Sequence, residues 1–231
     1  MNTRLVRGLA AGSLLALAGA PGAEAQLVTN GDFEANGAAF VDIPGYVGVG
    51  GNPASITGWF HDPANPHVGL NPGSSAGSGF ANNGDNSTQV AFLQTFDEGT
   101  LFSPAMLVQS ITGFTPGQEY RLTFDYNARG GGYDLPVMTV FLDATALVGP
   151  TQVTPVGGSN PYHHSDLKFT AGNSTLTLIF HSVSSDAARD ATLLIDNVSI
   201  VAVPEPGAAG AAMAVGLAAL VALRRSRQGL C

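Results

Sequence analysis

Cysteine is all but missing. The single thiol, Cys231, is the last residue, so residues 1–230 can form no disulfide and offer no thiolate nucleophile or metal ligand. Positive charge is scarce as well: nine Lys and Arg stand against 17 Asp and Glu, a formal net charge of −8. Between residues 26 and 203 the imbalance grows, with four cations (Arg121, Arg129, Lys168, Arg189) against 15 carboxylates. Such a surface repels nucleic acid and anionic lipid headgroups, which excludes nucleic acid as a partner, and it attracts divalent cations. That stretch also lacks an apolar stripe of helical period, and it holds the only tryptophan, Trp59. Long apolar runs occur only at the two ends of the chain.

At the N-terminus, Arg4 and Arg7 precede the apolar run Leu9–Ala18, and the small-residue site Ala23-Glu24-Ala25 follows. Basic, apolar and A-x-A parts in that order predict a secretory signal peptide over residues 1–25, cut by signal peptidase. At the C-terminus, Val203, Pro204, Glu205 and Pro206 lead into 17 uninterrupted apolar or small residues, 207–223, and then Arg224, Arg225 and Arg227. As a helix that run is about 26 Å long, slightly short of the ~30 Å hydrocarbon core, with arginines placed to stay cytoplasmic. Cys231 in QGLC does not match the prenylation pattern.

The Pro-Glu-Pro motif, apolar run and basic end of residues 203–231 resemble the PEP-CTERM sorting signal of Gram-negative bacteria. The resemblance implies recognition by an exosortase and a transient anchor in the inner membrane. The protein would then be released to the cell surface or extracellular matrix.

The remaining segment, 26–202, has enough residues for one domain with its own core. Its clearest strand is Tyr120–Asn127, where Tyr120, Leu122, Phe124 and Tyr126 alternate with polar residues. Further expected strands are Gln89–Gln94, Leu107–Ile111, Val137–Leu142, Tyr162–Phe169, Thr175–Ser182 and Ala191–Val203. Pro116 and Gly117 suit the centre of a type II turn, so Leu107–Ile111 is expected to pair with the Tyr120 strand across it. Residues 41–87, dominated by Gly, Asn, Pro and Ser, read as long loops. Many short strands and no helix predict an all-β antiparallel sandwich or jelly roll.

Three segments together resemble the galactose-binding-domain-like jelly roll found in many carbohydrate-binding modules. They are Leu27–Glu34 with Ile56–Trp59, Val108–Ile111 with the Pro-Gly turn and the Tyr120 strand, and the closing strand Leu194–Ile200. The resemblance implies polysaccharide binding. It also implies a structural calcium where the first and last strands meet, held by Glu34 and Asp196 with Asp32 as a helper. These are hard oxygen donors of the kind calcium takes. Trp59 is expected in the core. Tyr46, Tyr133 and Tyr162, in Gly- or Pro-rich turns, are expected at the surface as sugar platforms, with Arg129 beside the Gly130–Gly132 run.

Other motifs point nowhere chemical. Gly73-Ser74-Ser75-Ala76-Gly77 fits the G-x-S-x-G pattern but lacks the strand and helix a nucleophile elbow needs. His61, Asp62 and His67, and likewise His163, His164 and Asp166, have no recognised zinc spacing. No carboxylate pair is singled out for glycoside hydrolysis. The expectation is therefore a non-enzymatic, exported, polysaccharide-binding protein. Its rivals are a purely structural or adhesive matrix protein and a secreted hydrolase.

Overall fold

Alternation of apolar and polar residues sets where strands lie, and Gly, Pro and Asn set where they stop. The computed structural model describes residues 25–63, 67–72, 89–95, 104–157, 160–186 and 190–204. All but Pro204 belong to one compact unit, Glu24–Val203. The leader up to Glu24, Glu205, Pro206, the apolar run 207–223, Arg224, Arg225 and the Gly73–Gly77 pentapeptide lie outside the described residues.

A short 3-10 helix, Glu34–Ala39, precedes eleven strands. These are β1 (Gly45–Tyr46), β2 (Phe60–His61), β3 (Val68–Pro72), β4 (Gln89–Thr95), β5 (Ala105–Thr112), β6 (Glu119–Ala128), β7 (Pro136–Leu142), β8 (Thr145–Gln152), β9 (His163–Thr170), β10 (Thr175–Ser184) and β11 (Ala191–Ala202). They form a six-stranded sheet in the order β1-β3-β4-β11-β6-β9 and a five-stranded sheet in the order β2-β5-β10-β7-β8. Every pairing between strands is antiparallel.

The two sheets pack face to face as a β-sandwich, because each strand turns one apolar row inward. Along β6 these are Tyr120, Leu122, Phe124 and Ala128, and along β10 Leu176, Leu178 and Phe180, all buried in one core. Trp59 joins them, as expected. Its ring lies 5.4 Å from Phe33 and 6.1 Å from Phe180, which meets Phe124 edge-on at 5.1 Å. The indole N–H is not wasted: it donates to the Asn30 carbonyl at 3.0 Å. Each such side chain contributes roughly 1.5–3 kcal/mol by leaving water.

The expected hairpin across Pro116-Gly117 does not form. β5 pairs with β2 and β10, whereas β6 pairs with β11 and β9, so residues 113–118 cross from one sheet to the other. The crossing is held by a second one beside it, 171–174. Gly113 and Phe114 N–H both donate to the Ser174 carbonyl, Gly117 N–H donates to Ala171, and Ala171 N–H to Gln118. The turn geometry is local, but the choice of partner is set by two inward-facing rows that must meet across the sandwich.

Two further readings are corrected. Residues 41–87 are not loop throughout, since β1, β2 and β3 lie within them. β8 was not expected at all, because Gly149 and Pro150 interrupt it. It is an edge strand whose side chains are mostly exposed, which tolerates proline and selects no alternation.

Candidate functional site

The outer face of the six-stranded sheet carries a row that crosses five strands: Tyr46, Gly69, Phe92, Leu194 and Asn127 stand in register. Gly69 is required there, because a Cβ would come within 2.7 Å of the Phe92 ring and closer still to the Gly45 carbonyl. Its absence lets Tyr46 meet Phe92 edge-on at 5.1 Å. Phe92, Leu194, Val90 and Tyr162 form a second small core on this face.

Toward the end of the sheet the next row turns polar, with Gln94 opposite Thr192 and Arg129 just past the end of β6. The Tyr46 hydroxyl donates to Gln94 Oε1, and Gln94 Nε2 donates to Asp190 Oδ2 at 2.8 Å. Arg129 Nη1 reaches the same Asp190 oxygen at 2.7 Å. The pair is largely desolvated, with side chains 10% and 19% exposed. Burial, and then the Asp190 carboxylate, push the Tyr46 hydroxyl above its ordinary pKa, so it stays a donor; Arg129 and Gln94 pull the other way. The network is a directed chain of donors ending on one carboxylate.

Tyr133 completes the site. Gly131 and Gly132, at φ 92° and 88°, bend the chain back, so the Tyr133 ring lies over Arg129 with Cζ 3.3 Å from the ring centroid. One ring face therefore rests on a guanidinium, and the residue remains 43% exposed. Asp134 fixes the arrangement. Its N–H donates to the Asp190 carbonyl at 3.0 Å, and its carboxylate accepts from the Ser184 and Ser185 hydroxyls and the Asp186 N–H. Slight burial acts to raise the Asp134 pKa, but the bonds from Ser184, Asp186, Ser185 and Leu135 outweigh it and hold the carboxyl below its ordinary value.

Three residues expected separately as sugar contacts, Tyr46, Arg129 and Tyr133, are thus brought to one place. Tyr162 is not with them. It is 6% exposed, and the burial and nearby Asp196 carboxylate that raise its pKa show a hydroxyl inside the protein, not a surface platform. Its turn packs onto the sheet because Asn127 grips the preceding chain, donating to the Val156 carbonyl and accepting from the Val156 N–H, both at 2.9 Å. Nothing in the sequence singles out Gln94 or Asp190. A Gln at a strand end and an Asp at a strand start carry no motif, and only the fold joins them.

The calcium candidates sit elsewhere. Glu34 Oε1 accepts from Gln89 N–H at 2.6 Å, at the start of β4. Asp196 is fully buried, and its Oδ1 accepts from Asn197 N–H at 2.7 Å. The last β4–β11 pair is Ala91 with Ile195, so residue 196 lies toward the end of β4 that Glu34 bonds. Asp32 is exposed and lines a cleft of about 330 Å³ with Asn30, Gly31 and Asn197. Among the described residues, no group of three or more His, Cys, Asp or Glu is placed to hold a metal ion. In the histidine sets, His164 Nδ1 meets Asp125 Oδ1 at 2.7 Å, His163 Nε2 meets the Thr154 carbonyl at 2.9 Å, and Asp166 pairs with Arg121. His67 stands edge-on to Tyr46 at 6.0 Å.

No family model matches the sequence, and no curated protein matches it. Among solved structures, the chain is similar to an arabinose-bound α-L-arabinofuranosidase of family 51 (12% identity, TM-score 0.47, covering 80% of this chain and 27% of that one). It is also similar to the enzymatically active domain of bacteriophage CBA120 tailspike protein 4 (16%, TM-score 0.44, 77% and 21%). A third is a family 61 carbohydrate-binding module solved with β-1,4-galactotriose (14%, TM-score 0.41, 78% and 99%). The chain thus spans about a quarter of each enzyme but nearly the whole of the module. Other neighbours include carbohydrate-binding modules of families 4 and 16.

Proposed function

We propose that this chain is an exported bacterial surface or matrix protein whose galactose-binding-like jelly roll holds extracellular polysaccharide without catalysing its turnover. The observation that carries the binding reading is the Tyr133 ring, laid flat on an ion-paired Arg129 and exposed to solvent. A sugar's C–H face packs on such a ring, while the polar groups around it accept and donate to hydroxyls. Each contact is weak, and affinity comes from several along a polymer.

Signal peptidase would remove residues 1–25, and an exosortase would act at Val203, Pro204, Glu205 and Pro206 while residues 207–223 hold the precursor in the inner membrane. The end of the sandwich supports this division. Val203 N–H donates to the Glu119 carbonyl at 2.8 Å, and the Val203 carbonyl accepts from Gln118 Nε2 at 2.7 Å. Pro204, with no N–H, cannot extend the ladder. The folded part therefore runs up to the sorting motif with no spacer. Replacing Pro204-Glu205-Pro206 by alanines is expected to leave export intact and block release. Normal release of that variant in cell fractionation would contradict exosortase processing.

Calcium belongs to the proposal as a structural ion. Glu34 and Asp196 would hold it with backbone carbonyls, which together are hard oxygen donors of the kind calcium takes. A melting temperature equal in calcium and in chelator would rule it out.

The binding reading is tested by affinity electrophoresis of the full chain in a detergent without a sugar headgroup, through gels containing galactan, xyloglucan or dextran. Retardation by at least one polymer, abolished by Tyr133→Ala, is expected. Unchanged retardation in the variant would remove Tyr133 from the site, and no retardation by any polymer would overturn the reading.

A further inference from the structure

We infer that the Tyr133 platform takes a neutral glycan and rejects anionic ones such as uronate polymers. This rests on the carbohydrate-binding reading above and deepens it to a ligand class. An acidic sugar needs a cation with an open coordination side. Arg129 does not provide one: Asp190 neutralises it at 2.7 Å and the Tyr133 ring covers its face at 3.3 Å. The pattern extends beyond the site, because the other described cations are also ion-paired. Arg121 pairs with Asp166, and Lys168 meets Glu119 at 3.1 Å. Only Arg189, outside the described residues, completes the set of four cations that face 15 carboxylates between residues 26 and 203.

Asp190 therefore has two effects. It holds Arg129 and Gln94 in position, and it presents a negative charge where an incoming carboxylate would have to sit. Specificity of this kind comes from a repulsive element, not from an added contact. Hydroxyls meet no such penalty, since the partly exposed Asp190 carboxylate accepts from a hydroxyl where it repels another carboxylate.

The test uses the full chain in the same electrophoresis, comparing galactan and xyloglucan with polygalacturonate and alginate at low salt. Wild type is expected to be retarded by a neutral polymer and to run as in a blank gel with both acidic ones. Asp190→Asn removes the opposing charge and is expected to acquire retardation by the acidic polymers that fades as salt is raised, while Asp190→Glu keeps the exclusion. If Asp190→Asn fails to fold, as its thermal melt would reveal, the wild-type panel alone decides. Wild type retarded by an acidic polymer as strongly as by a neutral one, whether or not Arg189→Ala removes the effect, overturns the inference and leaves the carbohydrate reading standing. No retardation by any polymer overturns the reading itself and the inference with it.

Discussion

The two outer faces of the sandwich obey the same alternation and reach opposite results. On the five-stranded sheet a row of Phe60, Val108, Ile179 and Phe141 stands in register across four strands, apolar yet only partly covered, with Phe60 61% exposed. On the six-stranded sheet the row from Gly69 to Asn127 is buried, with Tyr46 partly covered at its end, and the polar groups beside it, Gln94, Thr192 and Asp196, are buried with it. Buried polar groups and exposed apolar ones are the informative exceptions in a folded protein. The comparison teaches that chemistry on this domain follows hydrogen-bonded organisation and not apolar area. The face that buries its polar groups is the one that holds a ring and a charge in fixed geometry.

The contrast can be broken at its strongest point with Asn127→Ala. This strands both backbone groups of Val156 and is expected to destabilise by about 2–3 kcal/mol in urea melts. On the opposite face, Ile179→Ala is expected to cost about 1 kcal/mol because its side chain is only partly buried. Phe60→Ala should stay within about 0.5 kcal/mol. Equal losses at Asn127 and Ile179 would erase the distinction between the faces.

Acid sharpens the same comparison. The Asp134 carboxyl is held below its ordinary value, so its contribution to stability is present above the usual Asp range and is lost as pH falls through the folded-state value. Wild type should therefore exceed Asp134→Asn in stability at neutral pH, with the gap closing in acid. A gap independent of pH would show that packing, not charge, makes the difference. The smallest effect is expected at the strand end. Gln118→Ala removes the bond to the Val203 carbonyl and should leave global stability within about 0.5 kcal/mol while exposing that peptide to limited proteolysis.

Much of this fold is legible in the sequence because burial is periodic. Tyr120–Asn127 and Thr175–Ser182 show one apolar row each, and both strands lie where alternation puts them, extended to Ala128 and Ser184. Pairing is less legible. The Pro116-Gly117 turn has the same local chemistry whether the chain returns within a sheet or crosses to the other, and only the neighbouring arch at 171–174 decides. The site is legible as ingredients. Tyr46, Arg129 and Tyr133 stand out by their glycine-rich surroundings, whereas Tyr162, in similar company, is drawn inward by the grip of Asn127 on Val156. Gln94 and Asp190 become visible only through register and through-space hydrogen bonds.

The central claim, that the Tyr133–Arg129 end of the six-stranded sheet holds polysaccharide, is tested most directly by hydrogen–deuterium exchange. The full chain would be compared with and without the neutral polymer that retards it most. Slowed exchange concentrated in peptides covering residues 127–135 and 190–194 is the result predicted. Slowed exchange on β2, β5 and β10 instead, with residues 127–135 unchanged, would contradict it and move the site to the apolar face.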